Sequence, residues 1–350
     1  MQADFARGWR GGQQQLLLLA RALAPLGWRS VIVTPAAELA TRWRAEGFEV
    51  IRPTAARRRL RHADAIHVQD GRALGWALAW RWLACLGSAA PPLLASRRVA
   101  FPLRSLAAFK WRRVNQVLAV SAFVQRDLLR AGLAPQRVTV VPDAVDVSAL
   151  PDAAAARRQT RRALGIAEDR LCLSCVSALT PEKGVEDLIA ALAHLRDFRP
   201  LLLLAGEGGL RGALQSAAAR LGVADQLLWV AGRCTAPEAV AAGDIFVLPS
   251  RQEGLGSSLL LARALRRAVV ATSAGGIPEL VSSGDDGLLV PPGDAAALAA
   301  AIGQAATDAA ARTRWLNAGE ARLRERFTPA VMAAATAAAY ATAGAAALAP

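Results

Sequence analysis

Lysine is almost missing from this chain: of 42 basic residues among 350, only Lys110 and Lys183 are lysines and the rest are arginines. An arginine-for-lysine bias beside so much alanine looks like coding bias, so alanine-rich stretches carry little structural weight. Tyrosine is scarcer still, with Tyr340 alone, which leaves few of the aromatic platforms on which single-stranded nucleic acid stacks. No recognisable nucleic-acid-binding module appears either, so nucleic acid is not expected as a partner. The four cysteines, Cys85, Cys172, Cys175 and Cys234, do not make a disulfide framework. Cys172 and Cys175 have metal-like spacing, but no second pair or nearby His completes a site. They fall in an apolar run and read as reduced core cysteines. No secretory apolar segment opens the chain. Residues 76–86 are too short to span a membrane and are broken by Arg81. Residues 330–349 are long enough, but Ala, Thr and Gly supply little transfer energy, so they read as a packed terminal helix. A cytoplasmic protein is expected.

Positive charge is abundant and unevenly placed. Residues 1–150 carry 22 Lys and Arg against 9 Asp and Glu, whereas residues 151–350 carry 20 against 19. A basic first part beside a nearly neutral second part predicts that the first meets something anionic. An anionic membrane or an acidic acceptor fits better than nucleic acid. The candidate contact surfaces are Arg57-Arg58-Arg59-Leu60-Arg61 and an amphipathic helix with tryptophans at 76, 80 and 82. A highly charged soluble face and an ordinary packed helix are the alternatives.

At this length two domains are natural. Short apolar runs alternate with helix-period segments throughout, the pattern of βαβ units and parallel sheets. Strands are predicted at 2–6, 30–34, 49–51, 65–68, 93–95, 116–120 and 138–141 in the first half. In the second they are predicted at 171–176, 201–205, 227–230, 245–248, 269–271 and 288–290. The only convincing linker runs from Pro142 to Pro151 and into a charged Ala/Arg stretch. The fold class is therefore α/β, with two Rossmann-like, doubly wound parallel-sheet domains facing each other across a cleft. Domain one covers 1–155 and domain two 156–327, with a helix over 328–350 packing back on the first. Ligands of such sheets bind at the carboxyl ends of the strands.

One junction carries the strongest chemistry. Phe246-Val247-Leu248-Pro249-Ser250-Arg251-Gln252 leads into Glu253-Gly254-Leu255-Gly256-Ser257-Ser258, a buried strand that turns through glycines into a helix. A helix start offers N–H groups and the positive end of the dipole to phosphates. Glycines let an anion approach the backbone, and Glu253 stands where a carboxylate can accept sugar hydroxyls. A strand–Gly–helix turn alone is weak evidence. A second follows at Val269-Val270-Ala271-Thr272-Ser273-Ala274-Gly275-Gly276-Ile277-Pro278-Glu279, and then comes Gly287-Leu288-Leu289-Val290-Pro291-Pro292-Gly293-Asp294. Upstream lie Thr180-Pro181-Glu182-Lys183-Gly184, whose lysine can meet a diphosphate as a point charge, and Ala205-Gly206-Glu207-Gly208-Gly209. The last lacks the spacing of a dinucleotide fingerprint, which weakens a dehydrogenase reading.

Five such motifs in this order, from Val176 to Asp294, resemble glycosyltransferase family 4, the retaining transferases of GT-B fold. In the first half, Trp9-Arg10-Gly11-Gly12 resembles the family's Gly-Gly loop. Ser96-Arg97-Arg98-Val99 and Val141-Pro142-Asp143-Ala144-Val145-Asp146 resemble members associated with bacterial cell-surface glycans. The resemblance implies transfer from a nucleotide-diphosphate sugar with retention, to a glycan or lipid-linked acceptor of the cell envelope such as lipopolysaccharide. It implies a cytoplasmic enzyme at the inner face of the membrane. Glu253 and Lys183 would be catalytic, with Gly11, Gly12, Lys183, Gly206, Glu253, Gly254, Leu255, Gly256, Ser257 and Ser258 around the donor. His67, Asp70, Arg97 and Arg98 are candidate acceptor or cleft groups, and for His67 and Asp70 a purely structural role stays open. The chain has no Asp-x-Asp triplet, consistent with metal-independent GT-B chemistry. No cofactor or metal is expected, the leaving group being met by positive charge and helix ends.

The chain departs from the family pattern at four places. The second acidic residue, eight positions after Glu253, is Leu261. A leucine cannot hold ribose hydroxyls, a loss worth ~1.5–3 kcal/mol for a charged acceptor. Ala178 replaces the Arg partner of the motif lysine, Gln69 replaces a His, and Ala100 stands where Asp is expected. These changes motivate an alternative: a non-catalytic GT-B protein that binds a glycan or lipid and assists another transferase.

Overall fold

The computed structural model describes residues 1–84, 90–103 and 105–345; Cys85 falls outside them. Backbone contacts divide the chain into two units, Met1–Ala144 with the terminal segment from Thr328, and Val145–Phe327. The division falls at Ala144, earlier than the expected 155. Val145 N–H donates to the Phe327 carbonyl at 3.0 Å, and Asp146 caps the following turn through Ser148, so the chain has already entered the second unit there.

The first unit is a seven-stranded parallel sheet, order β3-β2-β1-β4-β5-β6-β7. Its strands are β1 Gln2–Ala3, β2 Val31–Val33, β3 Glu49–Ile51, β4 Ile66–Val68, β5 Leu93–Arg97, β6 Gln116–Ala119 and β7 Val138–Val140. Helices α1 Gly11–Leu23, α2 Ala37–Ala45, α3 Pro53–Ala56, α4 Gly71–Ala84, α5 Ser105–Trp111 and α6 Ala122–Arg130 connect them. The topological switch lies between β1 and β4. The run Leu16-Leu17-Leu18-Leu19 buries α1 on two sides. Leu16 and Leu17 pack with Ile32, Leu39 and Trp43, while Leu18, Leu19 and Leu23 pack with Leu94, Leu118 and the terminal helix. Each fully buried leucine contributes roughly 1.5–3 kcal/mol.

The second unit has β8 Cys172–Val176, β9 Leu201–Ala205, β10 Leu227–Trp229, β11 Ile245–Leu248, β12 Ala268–Thr272 and β13 Leu288–Val290. They form a parallel sheet of order β10-β9-β8-β11-β12-β13. Its helices are α7 Ala153–Leu164, α8 Val185–Leu192, α9 Arg211–Arg220, α10 Ala236–Ala242, α11 Ser257–Ala264, α12 Ala295–Thr307 and α13 Ala309–Arg326. Near-continuous apolar strands such as Ile245–Leu248 are buried because helices cover both faces. Burial in this core raises the Cys175 thiol to about 12 and the Cys172 thiol to about 11, so both are protonated, inert side chains. Arg161, fully buried, pairs with Asp244 at 2.8 Å and donates to four backbone carbonyls. The chain ends in α14 Pro329–Thr342, which lies against α1 in the first unit and buries Met332, Ala333 and Tyr340. Among the described residues no helix is long and apolar enough to cross a membrane.

Tyr340 explains His67. The histidine is on β4, 1% exposed, with Nδ1 2.9 Å from the Tyr340 hydroxyl and Nε2 2.8 Å from Ser96 Oγ. Both ring nitrogens are engaged inside the core, so the expectation of a cleft group is corrected to a satisfied structural histidine. Burial, then the Arg98 charge, lowers its pKa to about 3. Because the folded pKa lies below the unfolded one, this group's contribution is complete above ~6.5, the unfolded value. It is lost as pH falls from there toward about 3, the unfolded chain binding the extra proton. We expect stability of the His67→Gln variant to be lower at neutral pH. Its acid slope should be shallower than that of the parent by up to ~1.4 kcal/mol per pH unit. Urea unfolding between pH 4 and 7 (roughly the window set by these pKa values) checks this, and parallel pH profiles would refute it.

Candidate donor site and the first unit's polar cluster

The loops that leave the carboxyl ends of β8, β9, β11 and β12 converge. β8 runs into a turn at Pro181–Lys183, β11 into Pro249–Gly256, and the two loops are stitched by Arg251 and Gln252 N–H groups donating to the Glu182 carbonyl at 2.8 and 3.1 Å. Lys183 Nζ reaches Glu253 Oε2 at 2.7 Å, and Ser250 Oγ donates to the same oxygen at 3.1 Å. Ser250 is itself fully buried and its carbonyl accepts the Thr272 hydroxyl of β12. Glu253 Oε1 has no protein partner among the described residues. A half-buried carboxylate is thus fixed through one oxygen and open through the other. An ammonium has three donors, so Lys183 can hold Glu253 with one and face an anion with the others.

Close backbone approach, which only glycine allows, builds this arrangement. A Cβ on Gly275, at φ +57°, would lie 1.9 Å from the Glu253 carbonyl oxygen; that carbonyl accepts the Gly276 N–H at 3.1 Å. Gly206 is similar, with a Cβ placed 1.8 Å from the Ser177 carbonyl. Gly206 thus also presses the β9 loop onto the β8 loop. Gly254, Leu255 and Gly256 are buried and lead into α11, with Gly256 at its cap and Ser257 and Ser258 in its first turn. The first turn of the helix itself contains no acidic residue, and an anion is favoured at the positive end of a helix dipole. Leu261 lies half-buried on the same helix. Arg251 is held by Asp187 at 2.9 and 2.7 Å and by Glu186, which anchors the loop to α8.

In the first unit, Gly11 and Gly12 open α1, with nothing within 4 Å of a Cβ at either position. Arg10 N–H donates to Gln13 Oε1 at 3.0 Å, and Gln13 Nε2 donates to Asp4 Oδ1 at 3.0 Å. Asp4, directly after β1, is fully buried; its Oδ2 has no partner, and burial raises its pKa. Arg98 donates to Asp143 Oδ1 at 3.0 Å and Gln69 Oε1 at 2.7 Å, and Gln69 donates to Gln2. Asp4, Gln69, Arg98 and Asp143 thus make a polar cluster at the carboxyl edge of this sheet. Asp4 was missed in the sequence, where a lone acid after a two-residue strand gives only its position as a signal. Asp70 is an N-terminal cap of α4, accepting the Arg72 and Ala73 N–H groups as well as that of Phe5, the structural role that its position also allowed. Arg97 is also structural. It is buried, donates to the Phe101 carbonyl, and lies over the Trp111 ring at 5.3 Å, burial lowering its pKa.

Two doubly wound units of this kind define the GT-B fold, and known proteins agree. The overall fold matches Anabaena HepE in complex with UDP and glucose, with TM-score 0.87 and 20% identity over 97% of this chain and 98% of that one. It also matches the apo lipopolysaccharide outer core galactosyltransferase WaaB, with TM-score 0.72 and 14% identity over 97% of each. The model of Glycosyltransferase Family 4 matches residues 9–149, and that of Glycosyl transferases group 1 matches residues 170–308. The chain belongs to the group 1 glycosyltransferases of family 4. Among curated relatives, it is 33% identical over 237 residues to alpha-maltose-1-phosphate synthase of Mycobacterium tuberculosis, covering 63% of this chain and 61% of the relative. It is 35% identical over 218 residues to D-inositol 3-phosphate glycosyltransferase of Stackebrandtia nassauensis, covering 58% and 47%. The match therefore spans about half to three-fifths of those relatives' lengths.

Proposed function

We propose that the protein is a retaining glycosyltransferase that moves a hexosyl- or heptosyl-type sugar from a nucleotide-diphosphate sugar to an envelope glycan or lipid-linked acceptor. The observation that carries this is the Lys183–Glu253 pair in the loop ring of the second unit, with one carboxylate oxygen left open. Glu253 Oε1 accepts sugar hydroxyls, while Lys183 and the start of α11 meet the diphosphate. The bond from the anomeric carbon to the diphosphate oxygen breaks, and the acceptor oxygen bonds to that carbon as its proton passes to the departing diphosphate. The charge growing on the leaving diphosphate is met by the ammonium and the helix end, electrostatic work that needs no metal. The basic first unit supports an acidic or membrane-borne acceptor and work at the inner face of the cytoplasmic membrane. Family membership and the UDP and UDP-glucose held by HepE support a nucleotide-sugar donor.

Nucleoside diphosphate release from a panel of UDP-, GDP- and ADP-sugars tests the reading, with anomeric configuration read by NMR where transfer occurs. Release from none of them, with no rise in melting temperature, sinks the donor assignment. Leu261 favours a second reading, an accessory protein with an eroded ribose site. Introducing Leu261→Glu discriminates. A gain of ~1.5–3 kcal/mol in nucleotide affinity marks a lost ribose contact. Unchanged affinity with turnover intact means the enzyme holds the ribose by other groups.

A further inference from the structure

Residues 71–126 hold nine Arg or Lys and no Asp or Glu, all within the first unit. Eight large apolar side chains are exposed among the described residues. Five are scattered singly, but Val99, Phe101 and Phe109, at 46%, 49% and 56% exposure, fall within this acid-free stretch. Val99 and Phe101 are on the loop after β5, and Phe109 is on α5. Scattered exposed apolar residues need no explanation, whereas a group of them beside one sign of charge does. The group is also anchored. Arg97 holds the Phe101 carbonyl and lies over Trp111 of α5. The Arg113 guanidinium sits 4.2 Å from the Phe109 ring centroid, and Lys110 is exposed beside it. The surfaces expected from the sequence are less available. Trp76 packs against Phe5, ring centroids 5.5 Å apart and tilted by 48°, Arg57 lies over Trp80, and Arg59 pairs with Glu49. The Trp82 side chain lies outside the described residues.

We propose that the face carrying Val99, Phe101 and Phe109 docks on an anionic lipid bilayer, with Phe101 and Phe109 entering the interface and Lys110 and Arg113 meeting headgroup phosphates. Aromatic rings beside cations, on a stretch of chain that carries no acid of its own between residues 71 and 126, suit that boundary. Because the loop leaves the carboxyl end of β5, one residue after Arg98, docking sets the membrane beside the polar cluster. The inference deepens the reading of a membrane-borne acceptor and rests on it for its purpose, but its test needs no turnover.

The test is co-sedimentation of the full chain with vesicles of phosphatidylglycerol and phosphatidylcholine, against phosphatidylcholine alone, at low and high salt. Binding to the anionic vesicles that weakens with salt is expected. The Phe101→Ser/Phe109→Ser variant should partition about ten-fold more weakly, and Lys110→Glu/Arg113→Glu should lose the preference for anionic lipid. Both should keep the parent melting temperature and its shift with UDP or GDP, since none of the four residues touches the donor loops. The proposal is overturned if the phenylalanine variant partitions like the parent. Equal binding to neutral vesicles, release from vesicles by duplex DNA, or a dimer dissolved by the phenylalanine changes would overturn it too. Vesicle binding by a protein that turns over no sugar donor would instead count against the transferase reading.

Discussion

Lys183→Ala should lower sugar-donor turnover by about 100- to 1,000-fold, the loss seen when one preorganised donor to a developing anion is removed. The lysine does two jobs that alanine leaves undone. It supplies the charge-assisted contact to the diphosphate, and it fixes Glu253 through the 2.7 Å Nζ–Oε2 contact. Because it is the only lysine in the second unit, no neighbour of the same kind substitutes. Stability should hardly change. The pair is partly exposed, at 24% and 13%, and such pairs contribute about 1 kcal/mol or less. Lys183→Arg should rescue poorly, since a rigid planar fork cannot place a single point charge between carboxylate and phosphate. Steady-state kinetics and thermal melts on the three proteins check this. Lys183→Ala retaining the parent turnover would remove Lys183 from the mechanism.

The second large effect is expected at a residue with no functional group. Gly275→Ala puts a methyl 1.9 Å from the Glu253 carbonyl oxygen and at φ +57°, so the Glu253 backbone is pushed away from its hydrogen bond with Gly276. The left-handed conformation alone costs ~1–2 kcal/mol for a residue with a Cβ, and the clash adds to that. We expect at least ~2 kcal/mol of destabilisation, a fall of roughly 4–8 °C in Tm for a unit of this size. Turnover should fall by ~100-fold, because an ångström of misplacement in a catalytic group costs that much. Gly293→Ala is the matched control: its φ is +80°, but nothing lies within 4 Å of its Cβ. It should show the backbone penalty and full activity. Equal activity losses in both variants would mean that strain, and not the seat of Glu253, is responsible.

These two residues also mark how far the sequence alone reached. The strands are short, mostly apolar runs set between helix-period segments, so all thirteen were legible to within a few residues, most clearly where the run is buried throughout, as at 245–248. The Glu253 turn and Lys183 were legible for the same reason, each following directly from a strand end. Contacts between remote loops were not. Nothing in Gly206 says that Ser177 lies against it, and nothing in His67 names Tyr340, 273 residues away, as the hydroxyl that turns it from a cleft group into a core one. A parallel sheet brings such residues together only after the crossovers are in place. Asp70 was ambiguous for a different reason: a carboxylate just after a strand serves a ligand or a helix start equally well, and two of the three N–H groups it accepts, those of Arg72 and Ala73, belong to the start of α4.

The central claim is that the loop ring of the second unit seats the nucleotide-sugar. Backbone hydrogen exchange with and without saturating UDP, GDP or ADP tests it most directly. With the nucleotide that binds, we predict slowed exchange at residues 177–184 and 250–258, on either side of the Lys183–Glu253 pair, and loss of that protection in Lys183→Ala. Protection confined to the first unit, or none with any of the three nucleotides, would contradict it.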